Sequence, residues 1–161
     1  MAVDVTTETI IARPRHEVAA FAVDPERAAL WYVNLRSVEW RTDPPLAVGS
    51  RIAFVAEFLR RRLAYVYEVV EHVPGERFVM RTAEGPFPME TTYLWRDAGE
   101  HRTAMTLRNR GTPAGFSRFV APLLTLAIRR ANTKDLALLK VILEARTRRE
   151  EGAAAPGRSR S

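Results

Sequence analysis

The chain has 161 residues, enough for one domain that buries roughly two thirds of its unfolded surface, and it contains no cysteine, which excludes disulfides, thiol nucleophiles and thiolate metal sites. Its net charge of +6 does not point to nucleic acid: the 25 basic residues are scattered among 19 acidic ones, Arg60, Arg61 and Arg62 form the only basic triple, and no reading module is visible. The N-terminal stretch MAVDVTTETI carries an acidic residue and no signal-peptide core, and the longest apolar run, near 119–128, falls far short of the roughly 20 residues that span a bilayer. A cytoplasmic protein without stable membrane insertion is expected.

Residues 3–11 place β-branched side chains at Val5, Thr7, Thr9 and Ile11, the pattern of a strand. Pro14 then opens a helix over 15–23, with Val18, Phe21 and Ala22 at helical spacing. Asp24-Pro25 stops it and starts a second short helix that ends near Tyr32, with Asp24 as N-cap and Pro25 at the first helical position.

From Ser37 the period changes to two. Val38, Trp40 and Thr42 share one face; Ile52, Phe54, Ala56 and Phe58 share the next, and after the Arg triplet Leu63, Tyr65, Tyr67 and Val69 continue it. Phe78, Met80 and Thr82, then Met89, Thr91, Tyr93 and Trp95, then Thr103, Met105, Leu107 and Asn109 complete the set. Turn residues at Pro44-Pro45, Gly49, Pro74-Gly75, Gly85-Pro86 and Gly99 separate the runs, so six consecutive strands form an antiparallel meander with one dry face. In the Met89 to Trp95 strand, a slip of one residue would turn Leu94 inward instead.

The last element is a long helix over 116–146, in which a short segment at 115–121 kinks into the main helix at Pro122. At about 100° per residue, Val120, Leu124, Ala127, Ala131, Leu138 and Ile142 fall within roughly 40° of one line. The stretch 129–135 holds one apolar side chain, Ala131, so the face turns small and polar at its middle, where tight packing opposite is not expected. The polar tail from 147 to 161 reads as disordered, and residues 1–146 as one domain. A strongly twisted seven-stranded sheet must curl, and its concave face can be closed by the one long helix left over.

This α+β order is similar to the helix-grip fold, and the residues resemble the START/Bet v1-like (SRPBCC) superfamily in its polyketide cyclase/dehydrase branch. The resemblance covers about 3–146 and rests on the opening strand running into ARPRHEVAAFAVDPERAALW, the turn PLAVGSRI, the hairpin YEVVEHVPGERFVMRT and the closing DLALLKVILE. GPFPMETTYLW and RNRGTPAGFSRFVAP look like signatures of a subgroup. The resemblance implies a curved seven-stranded antiparallel sheet around the C-terminal helix, with two short helices after the first strand. It also implies a cavity between sheet and helix for a lipid, hormone or polyketide, used by some members for cyclase or aromatase chemistry.

No nucleophile motif, phosphate loop or paired histidine stands out, since His16, His72 and His101 fall on a helix and two different turns. No catalytic residue, metal or cofactor is assigned. The expected inward set is Trp40, Phe54, Phe58, Tyr65, Tyr67, Met80, Met89, Tyr93, Trp95, Met105 and Asn109 from the sheet, with Ala131, Asp135 and Leu138 from the helix. Asp135 is the one charged residue near the centre of the helix face, so it must be paired, hydrated or protonated. Alternate turns of a meander lie at one end, so Arg60 to Arg62, the Phe87 turn with Pro86 and Pro88, and the 110–115 connection should be neighbours, an apolar mouth rimmed with arginine. The expected function is binding of a small hydrophobic or amphipathic ligand in that cavity. The alternatives are a polyketide cyclase, aromatase or dehydratase acting in the same place, and a partner-binding protein with a collapsed cavity; a homodimer is compatible with each.

Overall fold

The computed structural model describes residues 3–112 and 121–154. Strand β1 (Val3–Ile11) leads into helix α1 (Arg15–Val23), a 3-10 turn (Pro25–Arg27) and helix α2 (Ala28–Trp31). Six strands follow, β2 (Leu35–Trp40), β3 (Arg51–Phe58), β4 (Arg61–Val73), β5 (Arg77–Glu84), β6 (Met89–Asp97) and β7 (Thr103–Gly111), and then helix α3 (Ala121–Ala154). The break between α1 and α2 is chemical: Asp24 accepts the Glu26 N–H at 3.0 Å, and Pro25 has no N–H to continue α1.

The seven strands form one antiparallel sheet in the order β1-β7-β6-β5-β4-β3-β2, so the first strand joins the last and β2 is the other edge. Register shifts in β4, between Val66 and Tyr67 and again between Val69 and Glu71, bend the longest strand and help curl the sheet around α3. The register of β6 places Tyr93 opposite Leu107 and Trp95 opposite Met105, with both aromatic rings buried and Leu94 turned outward.

Helix α3 crosses the concave face and is fixed to β1 at its far half, where Lys140 Nζ donates to the Ile10 carbonyl at 2.7 Å and Glu144 accepts the Ala12 N–H at 3.0 Å. Its buried line runs through Leu124, Asn132, Asp135, Leu136, Leu139 and Leu143. At about 100° per residue this is roughly a quarter-turn away from the line expected through Ala127, Leu138 and Ile142, which are half-buried at its margin. The expected line followed apolar residues only and therefore missed Asn132.

Over 147–154, where the polar composition reads as tail, the structure has helix instead, α3 continuing past Arg146 to Ala154. Arg, Glu and Ala are good helix formers, so the polar composition of 147–154 marks a solvated helix. Glu150 reaches back to Arg13, whose Nη1 donates to it at 3.0 Å. The expected segment at 115–120 and the tail beyond 154 lie outside the described residues.

Candidate functional site

Between the concave face and α3 lies a cavity of about 410 Å³. Its floor is the inward face of the meander: Ile52, Phe54, Ala56 and Phe58 on β3, Leu63, Tyr65 and Tyr67 on β4, Phe78, Met80 and Thr82 on β5, Met89, Thr91 and Tyr93 on β6, and Asn109 on β7. Its roof is Leu124, Ile128, Ala131, Asn132 and Asp135 of α3, and Ala22, Ala28 and Tyr32 close one end. The strand period of two puts these side chains on one face, and the curl of the sheet keeps that face from collapsing onto itself. Rings line much of the wall, with Tyr65 and Tyr67 at 4.9 Å between centroids and Phe78 stacked on Tyr93 at 5.7 Å.

At the other end the lining includes Leu59, Arg61, Pro86 and Phe87 from the β3–β4 and β5–β6 turns, and Leu59 is largely exposed, so the cavity reaches the surface there. These turns are neighbours, as alternate turns of a meander must be. The connection after Gly111, expected in the same group, lies mostly outside the described residues.

Two polar groups interrupt the apolar wall. In the first, Thr91 Oγ1 donates to Asn109 Oδ1 at 2.8 Å, and Asn109 Nδ2 donates to Asn132 Oδ1 at 3.1 Å. Because the single Thr91 proton is committed to Asn109, the 3.2 Å contact between Tyr67 and Thr91 requires the Tyr67 hydroxyl to be the donor. The chain therefore runs one way, from Tyr67 to Asn132, and leaves Tyr67 with lone pairs only. Asn132 Nδ2, at the end of the chain, is buried without a hydrogen-bond partner.

In the second, Asp135 Oδ1 accepts the Val33 N–H at 3.0 Å, while the Tyr32 and Tyr93 hydroxyls share a short hydrogen bond. Asp135 is 4% exposed, and burial pushes its carboxyl up to about 6, against the Val33 N–H that favours the charged form. Burial also holds the Tyr32, Tyr65, Tyr67 and Tyr93 phenols above their ordinary range, and the nearby Asp135 charge adds to this for Tyr32, Tyr65 and Tyr93. All four keep their protons at neutral pH.

Of the residues expected inside, Phe54, Phe58, Tyr65, Tyr67, Met80, Phe87, Met89, Tyr93, Asn109, Ala131 and Asp135 line this cavity. Trp40 and Trp95 instead line a second hollow at the opposite end of the sheet with His16, His72, Pro74 and Gly75. Met105 is fully buried in the core, and Leu138 packs against that core from its edge. Trp40, Trp95 and Met105 share the inward face of the sheet, but at their depth α1 fills the concavity with Val18, Phe21 and Ala22, while Leu138 sits at the margin of the buried line of α3. Alternation reports which face a side chain takes and is silent about depth along the strand.

Tyr32 and Asn132 were not expected in the lining. Tyr32 ends a four-residue helix too short to show a period. The polar block at 129–135 was a usable signal for Asn132, since a carboxamide amid a buried helix face needs a polar partner across from it.

Among the described residues no group of three His, Asp or Glu is placed to hold a metal ion, and no helix is long and apolar enough to cross a membrane. A family model described as "Polyketide cyclase / dehydrase and lipid transport" matches residues 2–144. No curated protein matches the sequence. Among solved structures, a protein of Thermus thermophilus superposes with a TM-score of 0.77 at 20% identity, covering 88% of this chain and 97% of that one. The Zhui aromatase/cyclase from a Streptomyces species gives 0.77 at 14% identity, covering 91% and 96%. A START superfamily protein from Mycobacterium smegmatis gives 0.76 at 10% identity, covering 88% and 97%. At these identities the likeness is one of fold, the helix-grip arrangement of curved sheet and C-terminal helix.

Proposed function

The chain belongs to the polyketide cyclase / dehydrase and lipid transport family, and from that premise we propose that it binds a small hydrophobic or amphipathic molecule, lipid-like or polyketide-like, between the sheet and α3. The observation that carries this reading is the cavity of about 410 Å³, walled by aromatic and methionine side chains, with a few convergent polar groups. Enclosing about 300 Å² of apolar ligand surface contributes roughly 7 kcal/mol before ordering costs, which supports micromolar affinity. Native mass spectrometry of gently purified protein, with titration of an environment-sensitive fatty dye, tests it. A retained small molecule or saturable dye binding is expected; absence of both overturns the reading.

One observation favours cyclase, aromatase or dehydratase chemistry as a second reading. Asp135, with its carboxyl near 6, shares the cavity with the Tyr32 and Tyr93 hydroxyls, so a proton acceptor and proton donors meet in one apolar chamber. Turnover of a poly-β-ketone probe, followed by the absorbance of an aromatic product and lost in Asp135→Asn, is the result this reading expects.

A further inference from the structure

The polar atoms of the cavity are unevenly matched. Asp135 Oδ1 holds the Val33 N–H, but Oδ2 accepts no hydrogen bond among the described residues, although the residue is buried in the cavity wall. Tyr67 has donated its only proton to Thr91 and can only accept. Tyr65 Oη has no hydrogen-bond partner among the described residues and keeps both its proton and its lone pairs. The charge is as unmatched as the hydrogen bonding. The side chains that feel Asp135 are Tyr32 of α2, Tyr65 of β4 and Tyr93 of β6, and no lysine, arginine or histidine among the described residues acts on its carboxyl.

A buried carboxylate ordinarily requires a cation or several donors. Here the free donors, the Tyr65 O–H and Asn132 Nδ2, are neutral and no cation pairs with Asp135 among the described residues, while the surroundings are aromatic rings, which favour a cation by their quadrupoles. From these observations we propose that the inner end of the cavity takes the protonated amine of an amphipathic ligand, with Asp135 as its counter-ion and the Tyr65 and Tyr67 oxygens as further acceptors. An ammonium group with N–H bonds supplies the positive charge that Asp135 lacks and donors for its Oδ2 and the tyrosine lone pairs.

The apolar body has a defined direction. Leu124 packs with Val3 and Phe58 near the mouth, and Asp135 lies about 16 Å further along α3 at 1.5 Å per residue. The amine enters first and the chain trails toward Phe87 and Leu59.

The inference rests on the cavity-binding reading, and its test separates the two. Displacement of a neutral fatty dye from the full chain at pH 7.5 by decylamine and by decanol compares ligands that differ only in the head group. Decylamine is expected to bind at least about tenfold more tightly, and Asp135→Asn, which keeps an oxygen for the Val33 N–H, is expected to remove the preference while decanol binding changes less than about twofold. Calorimetry at pH 6 in buffers of different ionisation enthalpy should show proton release on amine binding to the wild type and none to Asp135→Asn. Decanol binding as well as decylamine in the wild type overturns the amine assignment and leaves the cavity reading standing. Binding of neither overturns both.

Discussion

Asn109 Nδ2 donates to Asn132 Oδ1 at 3.1 Å, the one side-chain hydrogen bond among the described residues that joins the cavity floor on β7 to its roof on α3. Replacing Asn109 by Leu strands Asn132 and leaves Thr91 with Tyr67 as its one side-chain partner among the described residues, and unsatisfied buried groups of this kind cost about 1–3 kcal/mol. Adding Asn132→Leu removes one stranded group, so the double variant is expected to be less destabilised than the two single losses added together. Urea unfolding of the four proteins measures this; simple additivity would show that the bond does not couple sheet and helix.

The Asp135 carboxyl gives a second expectation, in pH. Its folded-state value is raised from 3.8 to about 6, so between these limits the folded chain holds a proton that the unfolded chain has released. Stability from this group is therefore fully present below about 4, falls as pH rises toward 6, and is flat beyond, with a total change of at most about 3 kcal/mol. Asp135→Asn does not titrate. Its stability relative to the wild type should rise between pH 4 and pH 7, and a constant difference across that range would place the carboxyl in an ordinary environment.

At the mouth, Arg61 lines the cavity beside Leu59, Pro86 and Phe87. Arg61→Glu is expected to weaken binding of anionic amphiphiles severalfold more than neutral ones, with the gap shrinking as salt screens the charge. Equal losses for both ligand types, measured by dye displacement, would remove the electrostatic role.

The extension of α3 yields a fourth. Arg13 is 8% exposed and pairs with Glu17 and with Glu150, which lies beyond the expected helix end. Truncation after Arg146 should lower stability by about 1–2 kcal/mol, and Glu150→Gln by about 1 kcal/mol or less because the carboxylate is mostly solvated. Unchanged thermal unfolding of the truncated chain would mean that the last turns of α3 add nothing.

The elements were legible because the signals that mark them are local. Period-two runs such as Ile52, Phe54, Ala56 and Phe58 report a strand whatever surrounds it, and Asp24-Pro25 punctuates the helices by its own chemistry. The site was legible in part, because a cavity is a property of depth and of distant partners. Trp95 and Tyr93 share a face of β6, yet only Tyr93 reaches the cavity, since α1 packs at the level of Trp95. Tyr32 meets Tyr93 through a turn whose geometry no periodicity encodes. The length of α3 was misjudged for a different reason: composition separates polar from apolar, and the last turns of a solvated helix are polar.

The pairing of β1 with β7, in which Val3 lies opposite Gly111 and Ile11 opposite Thr103, also bears on how the molecule is made. β1 is made before β7 and has no sheet partner among the described residues until β7 has been synthesised, and α3, which covers it, comes later still. Such long-range closure is slow, because the entropy of joining distant segments is lost before their contacts reward it. A nascent chain halted before Thr103 therefore carries an unpaired strand and an uncovered apolar concavity, surfaces of the kind that favour aggregation until α3 covers them.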